Sequence, residues 1–415
     1  MVHAESLNDL ILQKKIVVCV GSGGVGKTTT SAVLALHAAL CGKKVLVLTI
    51  DPAKRLANSL GVSALDNEER RIPLEAFESD TRGELWAMML DMKRSFDRVV
   101  ERYAPDAETR ERILTNRLYK YFSTGLAGTQ EYSAMERLHD IYTTGAYDLI
   151  IMDTPPTVHA LDFLDAPIRM AEAVENSALQ WLYKPSLAAG KFGFGLFNIG
   201  TSYVLKTISR FTGGEMLNEL GDFLVNFNSM FEGFGTRARR VREILSSDVT
   251  LFLVVTSPDP ATVDEARYFR DRLQEEKIPF GGFIVNRVHK PYVPREMLHS
   301  SAESIAEAFT TYAEASDELV LDNDDETRHT LVGLGAQLVK NAAEFQILAD
   351  LDHQTLEALR ERTRGEIHIK EIPFFSRDID SFEGLDRVRR VLFDLGKATA
   401  SQEGKLSASH SPPPR

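Results

Sequence analysis

With 415 residues the chain exceeds what one hydrophobic core ordinarily organises, so one large domain with a sizeable insertion, or two domains, is expected and a small binding module is excluded. A hydrophobic share of 43% with 26% charged residues excludes a mostly disordered or collagen-like protein. Sixty acidic against 48 basic residues give a formal charge of -12, which weighs against nucleic acid as the main partner, because phosphate binding is dominated by positive charge.

Cys19 and Cys41 are the two cysteines of the sequence, too few for a disulfide framework or a four-thiolate zinc site in one chain, and a cytoplasmic protein is expected. The first residues, MVHAESLNDLILQKK, lack the basic start and apolar stretch of a signal peptide. No uncharged apolar run reaches the roughly 18 residues of a membrane helix, so no integral membrane span is expected.

From Lys15 onward, strand-like and helical patterns alternate. IVVCV at 16–20 precedes a helical pattern from Lys27 to about Leu40, and VLVLTI at 45–50 follows, which is a βαβ unit. Further strand-like runs begin at Glu84 (ELWAMML), Tyr147 (YDLIIM), Thr250 (TLFLVV) and Phe280 (FGGFIV), and IHIKEIPFF returns to the pattern near the end. Together they predict an α/β fold, a mostly parallel sheet flanked by helices. Residues 165–246 contain no convincing strand and read as an inserted helical subdomain. The expected organisation is a core over 1–164, the insertion over 165–246, and the rest of the core over 247–397 with a helical segment at 301–364. A polar, proline-rich tail over 398–415 is expected to be disordered.

Gly21-Ser-Gly-Gly-Val-Gly-Lys27-Thr28 fits G-x-x-x-x-G-K-[ST] between a strand and a helix. Glycines allow backbone N–H groups to turn inward around phosphate oxygens, and the helix N-terminus adds the positive end of its dipole. Lys27 is then placed to reach the β- and γ-phosphates and Thr28 to ligate Mg²⁺. Asp153 ends a predicted strand, the position of a Walker B carboxylate that holds the Mg²⁺ shell, or else of a turn cap before Pro155. Asp51 also ends a predicted strand. It reads either as the group that orients the attacking water, with a place in the metal shell, or as the N-cap of a helix with Pro52 in its first turn.

These residues resemble the deviant-P-loop ATPases, and among them the ArsA-type family, which includes the bacterial arsenite-pump ATPase and the eukaryotic targeting factor for tail-anchored membrane proteins. GSGGVGKTTTSA is similar to the family P-loop, TIDPAKRLANSLG to its first switch and DTPPTVHAL to its second. ELWAMMLD, GTQEYSAMERL, IVNRV and IPFFSRDIDSFEGL are similar as well, so the resemblance covers 15–165 and 248–290, and more weakly 370–395. It implies that Gly23, Gly24, Val25, Gly26, Lys27, Thr28 and Thr29 hold ATP and Mg²⁺, that Asp51 positions water, and that Asp153 serves the metal. It further implies that Asn286 and Pro373 frame the adenine and that His159 lies in a nucleotide-sensing switch.

The sequence departs from the family in three ways. The signature lysine after the first P-loop glycine is Ser22 here, so a cation that reaches the partner's nucleotide in the family is missing, and Lys54 or Arg55 beside Asp51 are candidates to replace it. The dimer-bridging C-x-x-C pair and the metalloid-binding cysteine trio are absent, which weighs against arsenite because soft metalloids want thiolates. The sequence contains one P-loop, where the arsenite pump often carries two halves, so a homodimer is the natural inference.

Within the insertion, Met216, Leu220, Phe223, Phe227, Met230 and Phe234 recur at alternating spacings of four and three. The stripe reads as packed core, as a groove for a hydrophobic helical client or membrane-protein partner, or as a dimer seam. Arg237, Arg239, Arg240 and Arg242 read as a solvated face, or else as a contact for anionic lipid or a partner. The function expected is Mg²⁺-dependent ATP hydrolysis by a homodimer that shields hydrophobic helices. Its alternatives are the energising subunit of an anion efflux pump and a MinD- or ParA-like spatial organiser.

Overall fold

The computed structural model describes residues 6–50, 55–62, 64–74, 83–117, 119, 120, 123, 129–154, 236, 237, 239–315, 324–363 and 368–395. Their strands are β1 (Ile16–Val20), β2 (Lys44–Thr49), β3 (Arg70–Ile72), β4 (Glu84–Met89), β5 (Leu149–Asp153), β6 (Thr250–Thr256), β7 (Phe280–Val288) and β8 (Ile369–Pro373). They form one sheet in the order β3-β4-β2-β5-β1-β6-β7-β8. β1 runs parallel to β5 and β6, β2 to β4 and β5, and β7 to β8, while the short β3 is antiparallel to β4. The mostly parallel sheet expected from the alternating pattern is therefore present.

The central strands are buried along their whole length, β1, β5 and β6 without an exposed residue, which is why they read as unbroken apolar runs rather than alternating ones. The helices are α1 (Leu7–Gln13), α2 (Lys27–Leu40), α3 (Arg55–Ser59), α4 (Met92–Tyr103), α5 (Ala107–Thr115), α6 (Thr129–Thr144), α7 (Pro260–Glu275), α8 (Ala302–Ala315), α9 (Asp325–Thr363) and α10 (Phe382–Leu392). A 3₁₀ turn covers Arg295–His299. Helix α2 is rich in alanine and buried from Thr30 to Ala39. It stops at Cys41 because Gly42, at φ +90, takes the left-handed position and its N–H donates to Ala39 O (2.9 Å). Starts are equally legible: Asp91 Oδ1 accepts the Arg94 N–H ahead of α4 (2.9 Å), and Ser381 Oγ accepts from Gly384 N ahead of α10.

Two compact units divide the chain. The first comprises 1–255, 267–281 and 379–415, and the second 256–266 and 282–378. In the first, α2 packs against β1, β2, β5 and α10. In the second, α8 and the 39-residue α9 pack together where a helical segment is expected at 301–364. Between them lies an apolar groove of about 640 Å³ lined by Ile305, Phe309, Tyr312, Leu338 and Phe345. The inserted subdomain lies outside the described residues except for 236, 237 and 239–246, and so does the 398–415 tail.

One sequence reading is corrected. Arg237 does not belong to a solvated face: its guanidinium is bonded to the buried Glu136 carboxylate and lies 3.9 Å over the Tyr103 ring, because a buried carboxylate needs a paired cation. Arg242 is likewise engaged, with Glu276 at 2.5 Å, whereas Arg239 and Arg240 are exposed.

The first unit also contains a buried histidine. His37 of α2 stacks on Phe393 at 3.5 Å between ring centroids, and its Nε2 lies 2.7 Å from Asn8 Oδ1. Burial, with a smaller contribution from the Arg389 charge, lowers its pKa from the ordinary 6.5 to about 4. The folded protein thus keeps His37 neutral where the unfolded chain protonates it, so the unfolded state binds more protons between those two values. Stability is expected to fall as pH drops from about 6.5 to about 4, and urea unfolding of His37→Phe should show a shallower fall over that window than the wild type.

Candidate nucleotide site

The glycine loop follows β1 at the C-terminal end of that strand, where open α/β sheets present their ligand crevice. Three of its glycines have positive φ: Gly21 (+150), Gly24 (+77) and Gly26 (+98). At Gly21 a β-carbon would stand 2.0 Å from Val255 O, so the loop's start admits no side chain. At Gly24 a β-carbon would meet nothing within 4 Å; glycine is needed there for its backbone angle, and the space beside it is open to a ligand. Gly23 and Gly24 are exposed, whereas the Val25 side chain is buried, so Val25 can serve a phosphate through its backbone N–H alone. Gly26 is the N-cap of α2, which directs the helix N-terminus at the loop.

Lys27, 6% exposed, folds its ammonium back into the loop and donates to Gly21 O (2.9 Å) and Ser22 O (2.8 Å). Two carbonyls thus stabilise a cation that would otherwise be costly to bury. The residue that departs from the family pattern, Ser22, therefore takes part in the site through its carbonyl.

The carboxylate of Asp153, the last residue of β5, is buried at the strand end. Its Oδ2 accepts hydroxyl hydrogens from Thr28 (2.8 Å) and Thr49 (2.9 Å). Register explains the meeting: Asp153 pairs with Cys19 of β1 on one side and Thr49 of β2 on the other. Thr154 adds a hydroxyl bond to Cys19 O at 2.8 Å. Sequence reading missed Thr49; its one signal is a hydroxyl residue near the end of the apolar run, two positions before Asp51. Hard oxygen donors in this arrangement suit Mg²⁺, so Thr28 and Asp153 fit the metal role expected of them. Thr29 is half-buried in the first turn of α2.

Asp51, Lys54 and His159 lie outside the described residues, and Arg55 opens α3. Asn286 and Pro373 are both in the second unit, near the C-terminal ends of β7 and β8. The strands pair Val285 with Glu371 and Val288 with Pro373, so two residues, Asn286 and Arg287, stand against the single Ile372 and form a bulge beside the end of β8. The structure brings the two base-side candidates together and, separately, Lys27, Thr28 and Asp153.

A glycine loop closing on its own lysine, opened by a buried strand and backed by a threonine–aspartate pair, defines a P-loop nucleoside-triphosphate-binding protein. The model of the anion-transporting ATPase family matches residues 14–307, well over half of the chain, and the chain belongs to this family of ArsA-type ATPases. It is similar to a putative arsenical pump-driving ATPase of Aquifex aeolicus, 28% identical over 264 residues, which are 61% of this chain and 58% of that one. An ATPase get3 of Aspergillus terreus is 27% identical over 292 residues (69% and 77%), and one of Schizosaccharomyces pombe 26% over 275 (65% and 71%). The chain thus spans less than two thirds of the Aquifex relative and about three quarters of the fungal ones.

Asp153→Asn keeps an acceptor oxygen for the Thr28 and Thr49 hydroxyls while removing the charge a metal shell would use. It is expected to weaken ATP binding about tenfold or more in Mg²⁺ and to leave binding in EDTA within about twofold, as measured by titration calorimetry.

Proposed function

We propose that this chain binds ATP with Mg²⁺ and hydrolyses it as a homodimer, coupling the cycle to shielding of an apolar membrane-protein helix. The observation that carries the catalytic half is the loop geometry: Lys27 gathered to the carbonyls of Gly21 and Ser22, with Thr28 bonded to the buried Asp153. In this reading the backbone N–H groups of 23–28 and the α2 N-terminus bind the phosphates. Lys27 offers its charge to the β- and γ-phosphates, while Thr28 and Asp153 hold the metal's oxygen shell and Asp51 orients the attacking water. Bound Mg²⁺ supplies neutralisation of the developing phosphate charge.

The client half rests on the resemblance to the family that includes the tail-anchored targeting factor and on the apolar stripe from Met216 to Phe234 in the sequence. The α8–α9 groove is an apolar surface of suitable character. Among the described residues no helix is long and apolar enough to cross a membrane.

The second reading, energising an anion efflux pump, is favoured by the name of the Aquifex relative. Thiol chemistry opposes a soft metalloid as its activator. Cys19 is buried, with burial pushing its thiol up to about 12, and Cys41 caps α2 with its pKa also raised by burial.

Steady-state turnover separates the readings. Asp51→Asn should lower turnover by about a hundredfold or more. A solubilised hydrophobic helical peptide should change wild-type turnover, and antimonite should leave it unchanged; stimulation by antimonite without any peptide effect would instead establish the pump reading.

A further inference from the structure

Among the described residues, most of the exposed large apolar side chains stand in the second unit. Tyr292, Met297 and Tyr312 rim the groove between α8 and α9, and Leu334, Leu338, Leu348 and Leu351 run along α9, all of them 41–67% exposed. At roughly 150–250 Å² for a large side chain, they present on the order of 700 Å² of apolar surface. A monomer ordinarily leaves no more than about 300–600 Å² in one patch, and one partner of a stable interface contributes about 800 Å². The surface therefore has the size of half an interface.

The α9 part of this surface reads alike in both directions about Asn341, an exposed residue that lines the groove. Leu334 and Leu348 each stand seven residues from it, Leu331 and Leu351 ten, and Leu338 and Phe345 three and four. Spacings of three and four keep them within one stripe of the helix. Two such helices laid antiparallel, with a twofold axis at Asn341, set Leu334 on the second copy's Leu348 and Leu331 on its Leu351, while Leu338 falls beside its Phe345. At the axis the two Asn341 amides meet, and an amide, being both donor and acceptor, satisfies an identical amide. A single polar residue in an apolar seam fixes register, because any slip strands it against hydrocarbon.

Charge follows the same symmetry. Lys340 and Glu344 flank the strip, 3.9 Å apart on their own helix and both exposed. Across the axis each comes within about 3 Å, measured along the helix, of the opposite charge on the second copy. On the other side α8 packs closely: a β-carbon at Gly335 of α9 would stand 2.7 Å from Ala302 O, so the two helices present their surface as one hairpin. The pattern is self-complementary in shape, polarity and charge, as an isologous interface requires.

We infer that, without a client bound, the α8–α9 pair docks on that of a second copy, α9 antiparallel to α9, in a four-helix seam. The inference rests on the proposed homodimer and gives it a surface, one that an apolar client helix entering the groove has to displace.

The test is sedimentation velocity on the full chain without nucleotide at about 10 µM, with dissociation constants from a dilution series. The wild type should be a dimer. Leu338→Glu and Leu348→Glu, at positions already partly exposed and so tolerated by the fold, should each weaken association about a hundredfold with an unchanged circular dichroism spectrum. Lys340→Glu should weaken it about tenfold, and adding Glu344→Lys should restore it to within about twofold. In a Cys41→Ser background, Asn341→Cys should form a disulfide between copies under mild oxidation, and Ala336→Cys, exposed on another side of α9, should not. A dimer that persists in both folded glutamate variants would overturn the seam and leave the homodimer on another surface. A chain monomeric without nucleotide but dimeric with ATP would overturn the seam alone; one monomeric in both conditions would overturn the homodimer reading with it. Uptake of the hydrophobic helical peptide by a monomeric wild type, lost in Leu338→Glu, would assign the groove to a client instead and overturn the seam.

Discussion

A carboxylate that ends a buried central strand has to be satisfied, and the way Asp153 is satisfied organises the phosphate half of the site. Its Oδ2 accepts from the first turn of α2 through Thr28 and from the neighbouring strand through Thr49. Bonds to a charged acceptor contribute about 1.5–3 kcal/mol each, so the pair ties the P-loop helix to two strand ends with an energy comparable to a good part of a domain's net stability. The same two hard oxygens, from Thr28 and Asp153, are those a divalent cation needs beside a triphosphate. The structural tie and the proposed metal site are thus one arrangement, which a bound nucleotide would adapt rather than assemble.

The loop in front of it follows a related logic. Gly24 and Gly26 have positive φ, the backbone turn that a phosphate-binding loop requires, and the Val25 side chain between them is buried. Lys27 is stabilised by the carbonyls of its own loop, a partner set that a phosphate can replace with stronger, charge-assisted bonds. In the second unit Asn286 and Arg287 lie in a bulge of β7, and His289 just beyond it is bonded to Asp352 of α9.

Local patterns carried much of this into the sequence. Seven strands read as apolar runs because a parallel sheet is buried on both faces, and α2 reads as a helical pattern from Lys27 to about Leu40. Lys27, Thr28 and Asp153 are legible as candidates because the loop's spacing and the strand-end position each have a physical requirement behind them. The three-residue β3, with Arg70 and Arg71 exposed, is too short and too polar to show a period, and α4 and α5 were not separated from their surroundings. Contacts between distant positions were also hidden. Arg237 with Glu136, Thr49 with Asp153 and His289 with Asp352 are separated by 101, 104 and 63 residues, and no local signal announces such pairs.

The central claim is that the Gly21–Thr28 loop is where a nucleoside triphosphate is held, with the Lys27 ammonium as its principal cation. Titration calorimetry of ATP into the wild type and into Lys27→Ala, both in Mg²⁺, addresses it directly. The account predicts micromolar-order binding to the wild type and a loss of about a hundredfold or more in the variant, several kcal/mol of binding free energy. Equal affinities in a Lys27→Ala protein that remains folded would contradict it.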